Sequence, residues 1–423
     1  MKLTNNLFVF LLLFFFILAP RLDLKIVIHT GFFSVAFLSI LAGIRQRNTF
    51  LLSKQLLGVT TFFSVLAVYH LIVSYIYDGN GIYFISICIS VIVSVIFGWV
   101  LAFYMTKHGN TSTSDLLDQL LMMCVIIAVL NSSIILVEYI FPNVKSAIES
   151  ILLQVQEANI NYAEHPFRLR GVASAGGAGL SVFNAMIVFI VIFLVLNRKI
   201  TAGFALCAAL ILTCSNIFTG RTGLIISLLL TVVLFIIVLV RNLRSGFHGI
   251  LRAFGMAAFF VLLLGFLVNI GLDPEAAGWA FEWVDNIGSA KFESSSSDDL
   301  KSMLYIPNSI THLLFGIGFF EGVNKSYPRT DSGYLKSILS IGVPLSVLLY
   351  AYIIFMFSRV IKISPKYYWL VVSILCFMLI IEIKEPFLYQ NYAARVIFLL
   401  SGASMFILAR RNTIANGTNV NAS

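Results

Sequence analysis

The chain has 423 residues, 59% of them hydrophobic and only 11% charged, with a mean hydropathy of +0.97, well beyond the roughly 45–50% apolar content of a soluble domain. That composition marks an integral membrane protein and excludes fibrous, disordered and disulfide-scaffold chains, while continuous apolar runs such as Leu56 to Tyr77 exclude the alternating pattern of a transmembrane β-barrel. The net charge of +9 is scattered through short loops beside helix ends, which is the membrane orientation signal, so no nucleic-acid partner is expected.

An all-α polytopic protein is predicted, a single membrane domain over 1–423, with about twelve spans of lipid-crossing length. In chain order they lie near 7–20, 26–44, 56–77, 82–105, 116–140, 179–196, 200–219, 222–240, 250–271, 334–358, 367–383 and 392–409. Lys2 ahead of an apolar core ending at Ala19 resembles a signal peptide. No small-x-small cleavage site precedes Pro20, so the segment is read as a retained anchor.

Every second connection is basic: Arg45, Arg47 and Lys54, then Arg198 and Lys199, then Arg241, Arg244 and Arg252, then Arg359, Lys362 and Lys366, and lastly Arg410 and Arg411. By the positive-inside rule these loops and both termini face the cytoplasm. Two long loops, about 141–178 and 272–333, are then external. The second holds nine acidic against four basic residues, so the charge sign reverses across the membrane. So much external chain suits an enzyme acting at the outer membrane surface better than a transporter. Within that loop Trp279 and Trp283 mark an amphipathic interfacial stretch, and Ser294 to Ser297 with Asp298 and Asp299 read as a flexible link or helix cap. The tail 412–423 reads as disordered and cytoplasmic.

Arginines are the informative residues, because a guanidinium at the bilayer centre costs at least about 2.5–3.5 kcal/mol on insertion scales. Arg168 and Arg170 sit in Arg-Leu-Arg-Gly ahead of a glycine-rich run, Ala173 to Gly179. In an extended segment positions i and i+2 share a side, so both can grip one polyanion; a solvated basic turn is the competing reading. Arg221, in Gly220-Arg221-Thr222-Gly223 between two spans, is either an anion ligand facing a cavity or an arginine snorkelling to headgroups. Neither glycine-rich segment carries a Gly-Lys-Ser or Gly-Lys-Thr, so a nucleotide P-loop is excluded.

The second loop ends in Leu314-Phe315-Gly316-Ile317-Gly318, then Arg329-Thr330-Asp331-Ser332-Gly333-Tyr334, before a helix carrying Gly342 and Pro344. Asp331 is either a helix N-cap or, beside Arg329 and Tyr334, the base for an incoming sugar hydroxyl. Glu321, Glu164 and His165 are further external candidates. Glu382, Lys384, Glu385 and Arg395 read as charges pairing with one another. His29, His70 and His248 read as structural, and His312 as core or interface. No metal motif is present, and no cofactor is expected.

With these arginines, the Gly-Arg-Thr-Gly turn and the Leu-Phe-Gly-Ile-Gly and Asp331-Ser-Gly-Tyr334 segments, the chain resembles bacterial O-antigen polymerases of the Wzy type. The resemblance covers most of the chain as architecture, through short and degenerate motifs. It implies a GT-C-like inner-membrane glycosyltransferase that joins oligosaccharide repeat units carried on undecaprenyl diphosphate at the periplasmic face. Arg168, Arg170, Arg221 and Arg329 would hold diphosphate without a metal, Asp331 would act as base, and Tyr334, Glu321 and His165 would be further substrate contacts. It also implies a chain-length-determining co-polymerase as a membrane partner. A related O-antigen ligase would carry a histidine where this chain has Asp331-Ser332, and a lipid-linked oligosaccharide flippase would show short loops and an inverted repeat.

Overall fold

The computed structural model describes residues 2–23, 27–45, 53–79, 81–108, 115–152, 167–243, 278–280, 303–320, 327–328, 330–389 and 391–420. The apolar runs form helices, because in hydrocarbon each backbone N–H and C=O must be satisfied within its own segment. In chain order the elements are α1 (Lys2–Leu18), β1 (Arg21–Asp23), β2 (Val27–His29), α2 (Thr30–Arg45), α3 (Lys54–Ile76), α4 (Gly81–His108), α5 (Leu116–Ile140) and α6 (Pro142–Ile151). They continue with α7 (Ala178–Leu196), α8 (Ala202–Thr219), α9 (Arg221–Leu243), α10 (Ile310–Phe315), α11 (Gly333–Ser358), α12 (Tyr368–Ile381) and α13 (Asn391–Val420). β1 and β2 pair antiparallel, with Arg21 opposite His29.

Among the described residues eight helices are long and apolar enough to cross a membrane, namely α3, α4, α5, α7, α8, α9, α11 and α13; α1, α2 and α12 are shorter apolar helices. Among the described residues the architecture is all-α apart from the β1–β2 hairpin, and the protein is a multi-pass membrane protein. The span expected at 250–271 lies outside the described residues, as do His165, Glu321 and Arg329.

Two segments differ from the sequence reading. The first long loop opens with a helix: α6 starts after the single residue Phe141, with Pro142 in its first turn, where the missing N–H costs nothing. Helix α13 runs on to Val420, so most of the tail read as disordered is helical. Once a long helix exists, each added residue gains a backbone bond without a new nucleation cost.

The chain forms two compact units, 1–17 with 30–120 and 295–423, and 18–29 with 121–294. In the first, α4 and α13 approach closely at two glycines: a side chain at Gly98 would overlap the Leu399 backbone, and one at Gly402 the Val95 carbonyl. Small residues at helix crossings supply the packing that lipid cannot drive. Arg395 of α13 donates to the Phe16 and Ile17 carbonyls at 3.1 and 3.0 Å, satisfying acceptors that the C-terminus of α1 leaves open. Helix α11 is broken at Gly342, which has φ +77° and ψ 166°.

In the second unit α7, α8 and α9 are tied by buried polar side chains. Asn216 of α8 donates to Ser227 Oγ at 3.1 Å and to the Ser181 carbonyl at 3.4 Å, and accepts from Asn184 Nδ2 and Thr219 Oγ1, both at 3.0 Å. The three of these bonds that cross to α7 and α9 are each worth about 0.6 kcal/mol and fix the registration of the three helices below the α8–α9 turn.

Candidate functional site

The α8–α9 turn is built on a close approach. Gly220 caps α8 and Arg221 opens α9. A Cβ at Gly220 would lie 2.5 Å from Ser181 Oγ, and one at Gly223 would overlap the Ser181 backbone on α7. The two glycines of Gly-Arg-Thr-Gly therefore let α9 start hard against α7, and Arg221 projects half-buried from that start.

The Arg-Leu-Arg-Gly segment reaches the same end of this unit. The Leu169 N–H donates to the Phe218 carbonyl, one turn before Arg221, at 3.0 Å. The segment is then pinned to α5: Asn131 Nδ2 donates to the Arg170 carbonyl at 3.3 Å, the Val172 N–H donates to Asn131 Oδ1 at 3.0 Å, and the Gly171 N–H donates to a carboxylate oxygen of buried Glu138 at 3.1 Å. Gly171 has φ +59°, a backbone state that costs any residue with a Cβ about 1–2 kcal/mol.

The two arginines of that segment make different contacts. Arg170 is buried and donates through Nη1 to the Ser174 carbonyl at 3.2 Å, closing its own loop. Arg168 is half-buried and stands with Cζ 4.8 Å from the centroid of the Trp279 ring. Arg221 stands at the same 4.8 Å from that ring, and Phe167 packs beside it with centroids 5.4 Å apart. Two arginines from separate loops thus share one indole, each contact being worth about 0.5–2 kcal/mol. Trp279 carries this assembly, although the sequence reading took it only as an interfacial anchor. Its composition signal, a tryptophan in an acidic loop, does not reveal its partners.

In the first unit Asp331 is half-buried on the segment ahead of α11. The N-cap of α11 is Ser332, so Asp331 is not the cap residue. Tyr334, also half-buried, donates its hydroxyl to the Leu379 carbonyl at 2.9 Å, which ties α11 to α12. The start of α11 rests on Glu382, which is fully buried. The Glu382 carbonyl accepts from the Gly333 N–H at 2.9 Å, and its carboxylate accepts from the Tyr350 hydroxyl at 2.8 Å and the Leu388 N–H at 3.2 Å. The sequence reading pairs Glu382 with its neighbours in the chain; its carboxylate is held by a hydroxyl and backbone amides, and the charge that acts on it is Lys336 of α11. His312 is half-buried, with Nδ1 2.7 Å from the Tyr327 hydroxyl. Nearby Tyr305 stacks on Tyr327 and donates to the Pro328 carbonyl at 3.0 Å, and burial, with Tyr327 beside it, pushes its hydroxyl up to about 12, so it remains a donor at neutral pH.

No family model matches the chain, and no curated protein or solved structure matches it.

Proposed function

We propose that this protein joins oligosaccharide repeat units carried on undecaprenyl diphosphate at the outer face of a bacterial inner membrane, as O-antigen polymerases do. The observation that carries the reading is the gathering of Arg168 and Arg221 on Trp279. A ligand with two linked negative charges can be held by two guanidinium groups gathered at one ring. Arginine suits such a ligand because its planar fork matches phosphate oxygens.

A lipid diphosphate has those charges and leaves with them. As the acceptor hydroxyl oxygen bonds to the anomeric carbon of the donor, the bond from that carbon to the phosphate oxygen breaks, and undecaprenyl diphosphate departs. Arginines at its phosphates stabilise the charge that develops on the leaving oxygen. The hydroxyl proton needs a base, and we assign that role to Asp331. The donor supplies its own activated bond, so no nucleotide is required. The multi-pass character supports a substrate delivered in the bilayer, and the basic alternate loops support cytoplasmic termini with the chemistry outside. A chain-length-determining membrane protein is the partner this reading implies.

The test is the lipopolysaccharide of a strain lacking the gene and of the same strain complemented. Core bearing a single repeat unit in place of the ladder, restored to a ladder by the gene, supports polymerisation. Complete loss of O-antigen from the core overturns it, with lipid-linked polymer accumulating outside indicating a ligase and single units held in the cytoplasmic leaflet a flippase.

A further inference from the structure

The break in α11 leaves acceptors that the helix cannot satisfy. In an unbroken helix the Ser340 carbonyl would accept from the amide four residues on, but that residue is Pro344, which has none. Gly342, in the left-handed region, takes the backbone out of helical geometry just beyond Leu339 and Ser340. In a membrane-spanning segment such carbonyls need other donors.

The structure supplies them from two directions. The Leu339 carbonyl accepts from the Ile317 N–H at 2.7 Å and from the Phe319 N–H at 3.4 Å, and Ser340 Oγ donates to the Phe319 carbonyl at 3.2 Å. The segment Gly316–Phe319, just past the end of α10, therefore lies against the break. Its glycines make that approach: a Cβ at Gly316 would stand 2.8 Å from the Ile341 and Gly342 amides, and one at Gly318 would overlap Ser74 on α3. The Ser340 carbonyl is taken by His70 of α3, whose Nδ1 is 3.2 Å away. A carbonyl only accepts, so this nitrogen carries the proton. The His70 ring is fully buried, lies against Phe84 with centroids 4.7 Å apart, and its Nε2 has no hydrogen-bond partner among the described residues. The bond to the broken helix is thus the polar contact that the buried imidazole makes. One residue earlier on α3, the Tyr69 hydroxyl donates to the Phe315 carbonyl at 2.9 Å.

We propose that His70 is a positioning residue: its Nδ1–H replaces the amide that Pro344 lacks and closes the break at Ser340, and by fixing Leu339 and Ser340 it clamps the segment Gly316–Phe319 that they bind, so that the half-helix 333–341 behind Asp331 is held in one position. The connection to turnover rests on the reading of Asp331 given above; the clamp itself does not.

The experiment is hydrogen exchange on the full-length protein in lipid nanodiscs, run beside a polymerisation assay. His70→Phe keeps the ring and its packing on Phe84 and removes the donor; His70→Asn keeps a donor near the Nδ1 position. Amides of Ile317 and Phe319 are expected to exchange about tenfold faster in His70→Phe and within about threefold of the parent in His70→Asn, with α7 to α9 unchanged. In the assay His70→Phe is expected to lower kcat about tenfold at unchanged KM for the lipid-linked donor, and His70→Asn to restore it. Unchanged exchange in His70→Phe overturns the clamp. Faster exchange with parental kcat overturns the positioning role. A parent protein without polymerising activity defeats the functional reading and leaves the exchange result to decide the clamp. Should His70→Phe fail to accumulate, His70→Leu, which also removes the donor, is measured in its place, and unchanged exchange of the segment there overturns the clamp.

Discussion

Arg168 and Arg221 stand at the same distance, 4.8 Å, from the centroid of a single ring, that of Trp279. Arg168 enters from the loop ahead of α7 and Arg221 from the first residue of α9, so the indole is the shared surface on which two elements of the second unit align their charges. Replacing Trp279 with Leu removes both cation–π contacts, each worth about 0.5–2 kcal/mol. The expected result is a fall in affinity for polyprenyl diphosphate of about tenfold or more, measured by titration into the protein in nanodiscs. Trp279→Phe, which keeps a π face, is expected to lose less. Equal affinity in Trp279→Leu and the parent would show that the ring does not organise the arginines for a diphosphate.

Arg221 is the more exposing test of charge against shape. Arg221→Lys retains the positive charge and gives up the planar fork, whereas Arg221→Ala gives up both. Loss of one donor to a developing oxyanion lowers turnover about 10²–10³-fold, and that is the expectation for Arg221→Ala, with protein still in the membrane at parental levels. Arg221→Lys should fall between alanine and parent. Parental turnover in Arg221→Ala removes this arginine from the chemistry.

Arg170 acts by another route. Its Nη1 closes the loop on the Ser174 carbonyl, while the backbone around it is held by Asn131 and Glu138. Arg170→Ala is therefore expected to abolish activity by releasing the loop that carries Arg168. Gly171→Ala should do the same without touching any charge: the residue has φ +59°, and its new Cβ would lie 2.6 Å from Asn131 Oδ1. The strain is on the order of 1–3 kcal/mol, readable as a lower midpoint in thermal unfolding. A parental midpoint and parental activity in Gly171→Ala would mean that the loop is not held as the hydrogen bonds indicate.

The helices were legible because lipid-length apolar runs admit little else; Gly342 and Pro344 were noted as part of one span, and the break between them is a finding of the structure. The arginines stood out for the same reason, as charges beside hydrocarbon. Their meeting at Trp279 was not legible, since hydrophobic periodicity describes one segment at a time and carries no information on which loops converge. Glu382 shows the limit from the other side. Its neighbours in sequence, Lys384 and Glu385, suggested ion pairing, but folding brings Tyr350 from α11 to its carboxylate, a partner visible only once α11 and α12 lie together. His70 was read as a structural histidine, and only the missing amide of Pro344 gives its ring a specific task.

Asp331 provides the sharpest separation between a chemical and a structural role. The N-cap position of α11 is Ser332, whose side chain makes no cap bond, and the helix start is anchored by the Glu382 carbonyl accepting from the Gly333 N–H. Asp331→Asn is nearly isosteric and removes the charge and the basicity. A positioned general base contributes about 10²–10⁴-fold to turnover, and that loss in kcat is expected, with KM for the lipid-linked donor within about threefold of the parent because uniform binding is untouched. The thermal midpoint should not move. Glu382→Leu supplies the contrasting control: it leaves the Leu388 amide without its buried acceptor, at about 1–3 kcal/mol, and turns the Tyr350 hydroxyl back on Ser337 Oγ, 3.0 Å away, so it should lower the midpoint whether or not the protein is an enzyme. If Asp331→Asn instead lowers the midpoint and keeps its turnover, Asp331 is a support of α11, and the base must be sought on another element.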